Sequence, residues 1–182
     1  MLLRTKAALE ECKAHLDMTG SWNSEIESYL TQHVLIVLCA DIQQSIYQIL
    51  ESRLDGAVDI ELKNFAIATG KRCLRSVGKK EVSGFLGFFS TDAKNYLNDN
   101  IAEETVSLYS NAITSRHDVA HSSGTKITFM ELQKVLEASV EFLSVVNDAI
   151  FSSLKKETSV GEVSGAEKVP FDLFNPPIPG AV

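Results

Sequence analysis

The chain carries no proline between Met1 and Val169; all four prolines lie between Pro170 and Pro179. A proline inside a helix costs roughly 3 kcal/mol, because it removes a hydrogen bond and clashes with the preceding turn. A long proline-free stretch with few glycines and much Leu, Ala, Glu, Lys and Gln is therefore free to form long helices. No segment alternates apolar and polar residues with period two over a useful length, so no strand is expected. The expected fold class is all-α, an up-and-down helical bundle with additional short helices.

Local signals divide this stretch. A first helix is expected from Leu3 to about Asp17, stopped near Gly20. Ser24-Glu25-Ile26-Glu27 fits a capping box, which satisfies backbone N–H groups left open at a helix start. The long helix after it should reach about Leu54, where Asp55-Gly56 ends it. Its Leu35, Leu38, Ile42, Ile46 and Ile49 form an apolar stripe at helical spacing. Asp59 can cap a third helix running to about Ser76. Gly78, Gly84 and Gly87 interrupt the next stretch, where Phe85, Leu86, Phe88 and Phe89 crowd together. That stretch is expected as a short helix or a structured loop, more core than dimer contact.

Ser90 or Thr91 can cap a short helix to about Asn98. Another helix runs from about Ala102 to the neighbourhood of Arg116, and Ser122-Ser123-Gly124 reads as a turn. Thr128-Phe129-Met130-Glu131 is a second capping box. It opens a last helix to about Lys155, with Leu132, Leu136, Leu143, Val146 and Ile150 facing inward. The domain is expected to span 1–156. Over 157–182 the composition shifts to Gly, Ser, Glu and Pro, which describes a flexible tail. Phe171, Leu173 and Phe174 within it are apolar enough to dock.

A chain of 182 residues suits one domain plus a tail. It can bury a core without cross-links. Cys12, Cys39 and Cys73 are odd in number and widely spaced, so neither a disulfide framework nor a zinc knuckle is expected. The first twenty residues carry Lys and Glu throughout and do not read as a signal peptide. The longest apolar run, Val34 to Ala40, is far short of the ~20 residues of a spanning helix. A reducing, cytoplasmic location is the expectation. The formal charge of −7 argues against a non-specific nucleic-acid coat, but not against a local basic groove.

One window can carry chemistry: Arg116-His117-Asp118-Val119-Ala120-His121. It holds two of the four histidines. Histidine gives or takes protons near neutral pH, and arginine matches phosphate oxygens with a rigid, permanently charged fork. RNA supplies its own nucleophile, the 2′-hydroxyl. Cutting it needs proton transfer and positive charge on the developing phosphorane, so Arg plus His is a sufficient minimal kit. Arg116 and His121 stand five apart, roughly 140° around a helix. They can face one phosphate only if the helix ends between them or a second copy completes the site.

Arg116-x-x-x-x-His121, with a polar residue after the arginine and a final long helix behind it, resembles the R-x4-6-H motif of the HEPN superfamily. The helix containing His33-Val34-Leu35-Ile36-Val37-Leu38-Cys39-Ala40 resembles the second helix of the bacterial RiboL-PSP-HEPN nuclease group. The resemblance covers about residues 1–155. It implies a bundle that dimerises around a shared cleft and cleaves RNA without metal or cofactor, in a toxin–antitoxin or antiviral setting with an antitoxin or defence partner. It implies that Arg116 holds the scissile phosphate, that His121 moves a proton, and that His117 fills the polar position. Asp118 could orient a histidine, on our own reading of the residues.

Two other readings compete. The same residues can cap carbonyls and pair with one another, in a helical module that binds a protein or RNA without cutting. His117-Asp118-Val119-Ala120-His121 also stands one residue type from the zinc-peptidase pattern H-E-x-x-H. However, Asp is shorter than the usual Glu, and no third ligand stands at a helpful spacing. Finally, Lys63, Lys71, Arg72, Arg75, Lys79 and Lys80 form a stretch free of acidic residues. It reads either as a track for RNA phosphates or as a solvated face.

Overall fold

The structure is a computed structural model. It describes the backbone of residues 1–120 and 127–160, and the side chains of 1–116 and 127–152. Seven α-helices occur among the described residues: α1 (Leu3–Thr19), α2 (Glu25–Arg53), α3 (Ile60–Cys73), α4 (Lys79–Leu86), α5 (Thr91–Asn100), α6 (Glu103–Ala120) and α7 (Leu132–Val160). A 3₁₀ turn, Phe129–Glu131, leads into α7. The described residues contain no strand, so the fold class is all-α.

Start and stop signals act through identifiable groups. Gly20 closes α1 in the left-handed conformation at φ 63, where a Cβ is costly. Ser24 caps α2, but not as a reciprocal box. Its hydroxyl accepts from Ile26 N, while Glu27 reaches past it to Asn23 N at 2.6 Å. Asp59 and Ser90 accept from Leu62 N and Ala93 N, capping α3 and α5.

The four long helices run alternately up and down. Thr5 near the start of α1 meets Asp41 well along α2. Trp22, before α2, packs edge-on against Phe129, before α7. Arg53 at the end of α2 donates to the Ile150 carbonyl late in α7, so α2 and α7 run the same way. Thr105 at the start of α6 donates to Glu141 of α7, Tyr109 stacks on Phe142, and Ser115 further along shares a hollow with Val135 near the start of α7, so α6 runs the opposite way. Between α2 and α6 the chain makes α3, α4 and α5. The expected stripe of Leu35, Leu38, Ile42, Ile46 and Ile49 is buried. By length and composition alone α2 could cross a membrane, yet 56% of its apolar window is buried in the bundle.

Tyr109 of α6 and Phe142 of α7 stack at the centre, 4.1 Å apart with planes at 13°, both fully buried. The Tyr109 hydroxyl donates to the Val77 carbonyl. Burial, with smaller contributions from Cys39 and Glu81, pushes its phenol well above the usual range.

Three boundaries differ from the sequence expectation. The third helix stops at Cys73, because α2 takes over its last carbonyls: Tyr47 Oη lies 3.2 Å from Lys71 O and 3.0 Å from Leu74 O. The sixth helix continues past Arg116 to Ala120. The last helix continues past 156 to Val160, the last described residue, with no Gly or Pro to interrupt it. The turn Ser122-Ser123-Gly124 and the remaining tail, with Phe171, Leu173 and Phe174, lie outside the described residues. In the Phe cluster, Phe85 and Leu86 are buried, Phe89 is half-buried and Phe88 is exposed.

Two local features yield stability predictions. Buried Asp41 accepts both the backbone N–H of Thr5 at 3.1 Å and its hydroxyl at 2.9 Å, tying α1 to α2. Asp41→Ala leaves those donors without their acceptor and is expected to cost about 1–3 kcal/mol in urea unfolding. A variant as stable as wild type would contradict this role.

The Glu131 carboxylate accepts from Thr128 N at 2.8 Å and from its hydroxyl at 2.9 Å. The backbone bond first, then the hydroxyl, hold its pKa below the usual value. A depressed folded pKa means the stabilisation is present above the unfolded pKa and is lost as pH falls through the folded pKa. Wild type should therefore exceed Glu131→Gln in stability near neutrality, and the gap should shrink on acidification through the carboxylate range. A gap independent of pH counts against it.

Candidate functional site

Arg116 continues a core-facing stripe. Thr105, Tyr109, Ala112 and Ile113 of α6 recur at helical spacing and are buried. Arg116 comes next on that stripe, where an apolar residue would be expected, and it is exposed. Its guanidinium sits at the mouth of the α2–α6 seam and acts electrostatically on Cys39 of α2.

Opposite it lies the segment between α3 and α4. Leu74 and Val77 are buried there. Gln43 Nε2 donates to the Leu74 carbonyl at 3.1 Å, beside the Tyr47 contact, and the Tyr109 hydroxyl holds the Val77 carbonyl. Two buried side chains and these bonds pin a short loop onto α2 and α6. They carry Arg75 to the same opening, where its Nε donates to the Arg72 carbonyl at 3.3 Å.

The result is a hollow of about 160 Å³ lined by Ile36, Cys39, Ala40 and Gln43 of α2, Arg75, Ser76 and Val77 of the loop, and Ile113 and Arg116 of α6. Arg75 and Arg116 both line it, and among the described residues no Asp or Glu does. Like charges in one hollow repel, and an anion between them offsets that repulsion. The volume is below the roughly 300–1,000 Å³ of small-molecule pockets, a size that suits one phosphoryl group rather than a whole nucleotide. Burial pushes the Cys39 thiol up to about 11, against a smaller opposing pull from Arg116. That favours the neutral thiol near pH 7.

The side chains of His117 and Asp118, and His121 altogether, lie outside the described residues. Because α6 runs on to Ala120, Arg116 itself sits within regular helix. Among the described residues no group of three or more His, Cys, Asp or Glu side chains could hold a metal ion.

The basic stretch divides four ways. Lys63 pairs with Asp55 at 2.9 Å, and Lys71 pairs with Glu51 at 2.6 Å while lying over the Tyr47 ring. Arg72 is exposed and contributes only its carbonyl, to Arg75. Arg75 joins Arg116. Lys79 and Lys80 line a separate hollow with Lys94 of α5, a residue that sequence reasoning did not single out.

A second unanticipated feature is an apolar groove of about 460 Å³ between α3 and α4, lined among others by Leu62, Phe65, Phe85 and Phe88. No residue of α3 is buried, and Leu62, Phe65 and Phe88 are each more than half exposed. The spacing of Leu62, Phe65, Ala66, Thr69 and Cys73 was the available signal. No family model, no curated protein and no solved structure matches this chain.

Proposed function

We propose that the protein is a metal-independent endoribonuclease of HEPN type, using the substrate's own 2′-hydroxyl as nucleophile. The observation that carries this reading is the hollow lined by both Arg116 and Arg75 and, among the described residues, by no carboxylate. Arginine's fork suits a phosphate at that point. On this reading Arg116 holds the scissile phosphate and stabilises charge on the phosphorane. His121 transfers the proton, with His117 and Asp118 assisting.

The five-residue spacing places His121 about 140° from Arg116 if the helix were continued. A homodimer that brings a second copy's motif to the same cleft removes that difficulty. The cellular setting that fits is cytoplasmic toxin–antitoxin or antiviral defence, with a neutralising or activating protein partner. The test is incubation of purified protein with end-labelled single-stranded RNA in excess EDTA. Cleavage is expected, and intact RNA with folded protein opposes the proposal.

A second reading has the α3–α4 groove in its favour: a non-catalytic HEPN-like module that binds a protein partner there. It predicts tight association without cleavage, lost in Phe65→Ser and Phe88→Ser.

A further inference from the structure

We propose that Lys79, Lys80 and Lys94 form a second phosphate-binding subsite, so that a single RNA strand crosses this face from the Arg75–Arg116 hollow along residues 75–80. The inference rests on the nuclease reading for its substrate class, but it stands on separate residues.

The hollow has a volume of about 360 Å³, lined by Lys79, Lys80, Ser83 and Gly84 of α4 and Lys94 and Asn98 of α5. Three lysines line it, and among the described residues no carboxylate does. Neither salt bridge among the described residues engages these lysines. Ser83 and Asn98, whose Oγ and Nδ2 lie 3.5 Å apart, offer polar groups at its wall. Gly84 presents bare backbone, with nothing within 4 Å of where its Cβ would stand.

The placement runs against local preference. Lys79 and Lys80 are the first two residues of α4, where the helix dipole disfavours cations. Residues that break a local rule without a stabilising partner are where function is expected. Val77 lines the first hollow and Lys79 the second. Two residues of chain span at most about 7 Å, so one short stretch of backbone contributes to both hollows. An anionic strand is thus offered two adjacent cationic hollows on a chain whose net charge is −7.

The test uses a fluorescein-labelled 2′-O-methyl RNA 12-mer, which can bind but cannot be cut, with anisotropy read across a salt series. Wild type is compared with the triple variant Lys79→Gln, Lys80→Gln, Lys94→Gln, with Lys94→Glu alone, and with Lys6→Gln/Lys13→Gln on α1 as a charge control. Circular dichroism confirms each fold.

For single strands the salt slope falls by roughly 0.7 per phosphate contact removed. The triple variant should therefore lose about 0.7 or more of slope and bind several-fold more weakly, with Lys94→Glu similar and the α1 control unchanged. An unchanged slope in the triple variant overturns the subsite even if wild type cleaves RNA. So does equal weakening in the α1 control, absence of RNA binding by wild type, or lysine-dependent binding of an acidic peptide without RNA. If wild type fails to cleave but the slope falls only with the α4–α5 lysines, the subsite stands and the nuclease reading falls.

Discussion

Arg116→Ala is expected to reduce RNA cleavage by about 10²–10³-fold, the scale of losing one charge-stabilising group at a developing anion, and to leave the fold intact. Arg116 is exposed, so its removal opens no core cavity. Arg116→Lys should restore little, because a point charge does not reproduce a two-pronged hold on phosphate. His121→Ala is expected to lose about 10²–10⁴-fold through the missing proton transfer. Arg75→Ala should lose less, since Arg75 stands across the hollow as a second hold. Initial rates on labelled RNA, with gel filtration of each variant, measure all four. Full activity in both Arg116→Ala and His121→Ala would remove the basis of the mechanism.

The other large effect is structural. Phe142→Ala should destabilise the protein by about 3–5 kcal/mol, the usual cost of truncating a fully buried aromatic. Its stack on Tyr109 adds to the area term. Domains of this size hold only about 5–15 kcal/mol in total, so the variant should be marginal near body temperature. The loss should also reach the site. Tyr109 uses its hydroxyl to hold Val77, and the Val77 loop carries Arg75. Urea unfolding of Phe142→Ala checks the first claim. A cost under about 1 kcal/mol would mean the neighbours refill the space.

These two predictions separate what was legible in the residues from what was not. The apolar periodicity of α2 and α7 and the caps at Asp59 and Ser90 are local signals, and they place most elements. The pairing of Arg75 with Arg116 is not local. It depends on Gln43, Tyr47 and Tyr109 capturing the Leu74 and Val77 carbonyls, contacts across tens of residues that no periodicity encodes. For the same reason the sequence does not show how the basic stretch divides. Asp55 and Glu51 neutralise Lys63 and Lys71, whereas Lys94, absent from the stretch, meets Lys79 and Lys80 only after folding.

The end of α6 is hard to place from the residues because the only stop signal, Ser122-Ser123-Gly124, lies several residues past Arg116, and the helix continues to Ala120. The α3 stripe was visible as apolar spacing, but nothing local says that a stripe stays uncovered.

The central claim is that the Arg75–Arg116 hollow holds the phosphate attacked by the neighbouring 2′-hydroxyl. Its most direct test is to map the product ends from a single-stranded RNA cut in EDTA, alongside the same sequence with deoxyribose. The account predicts 2′,3′-cyclic phosphate and 5′-hydroxyl ends, no cutting of the deoxy strand, and loss of both products with Arg116→Ala. Cleavage of the deoxy strand, 3′-hydroxyl and 5′-phosphate ends, or undiminished cutting by the variant would contradict it.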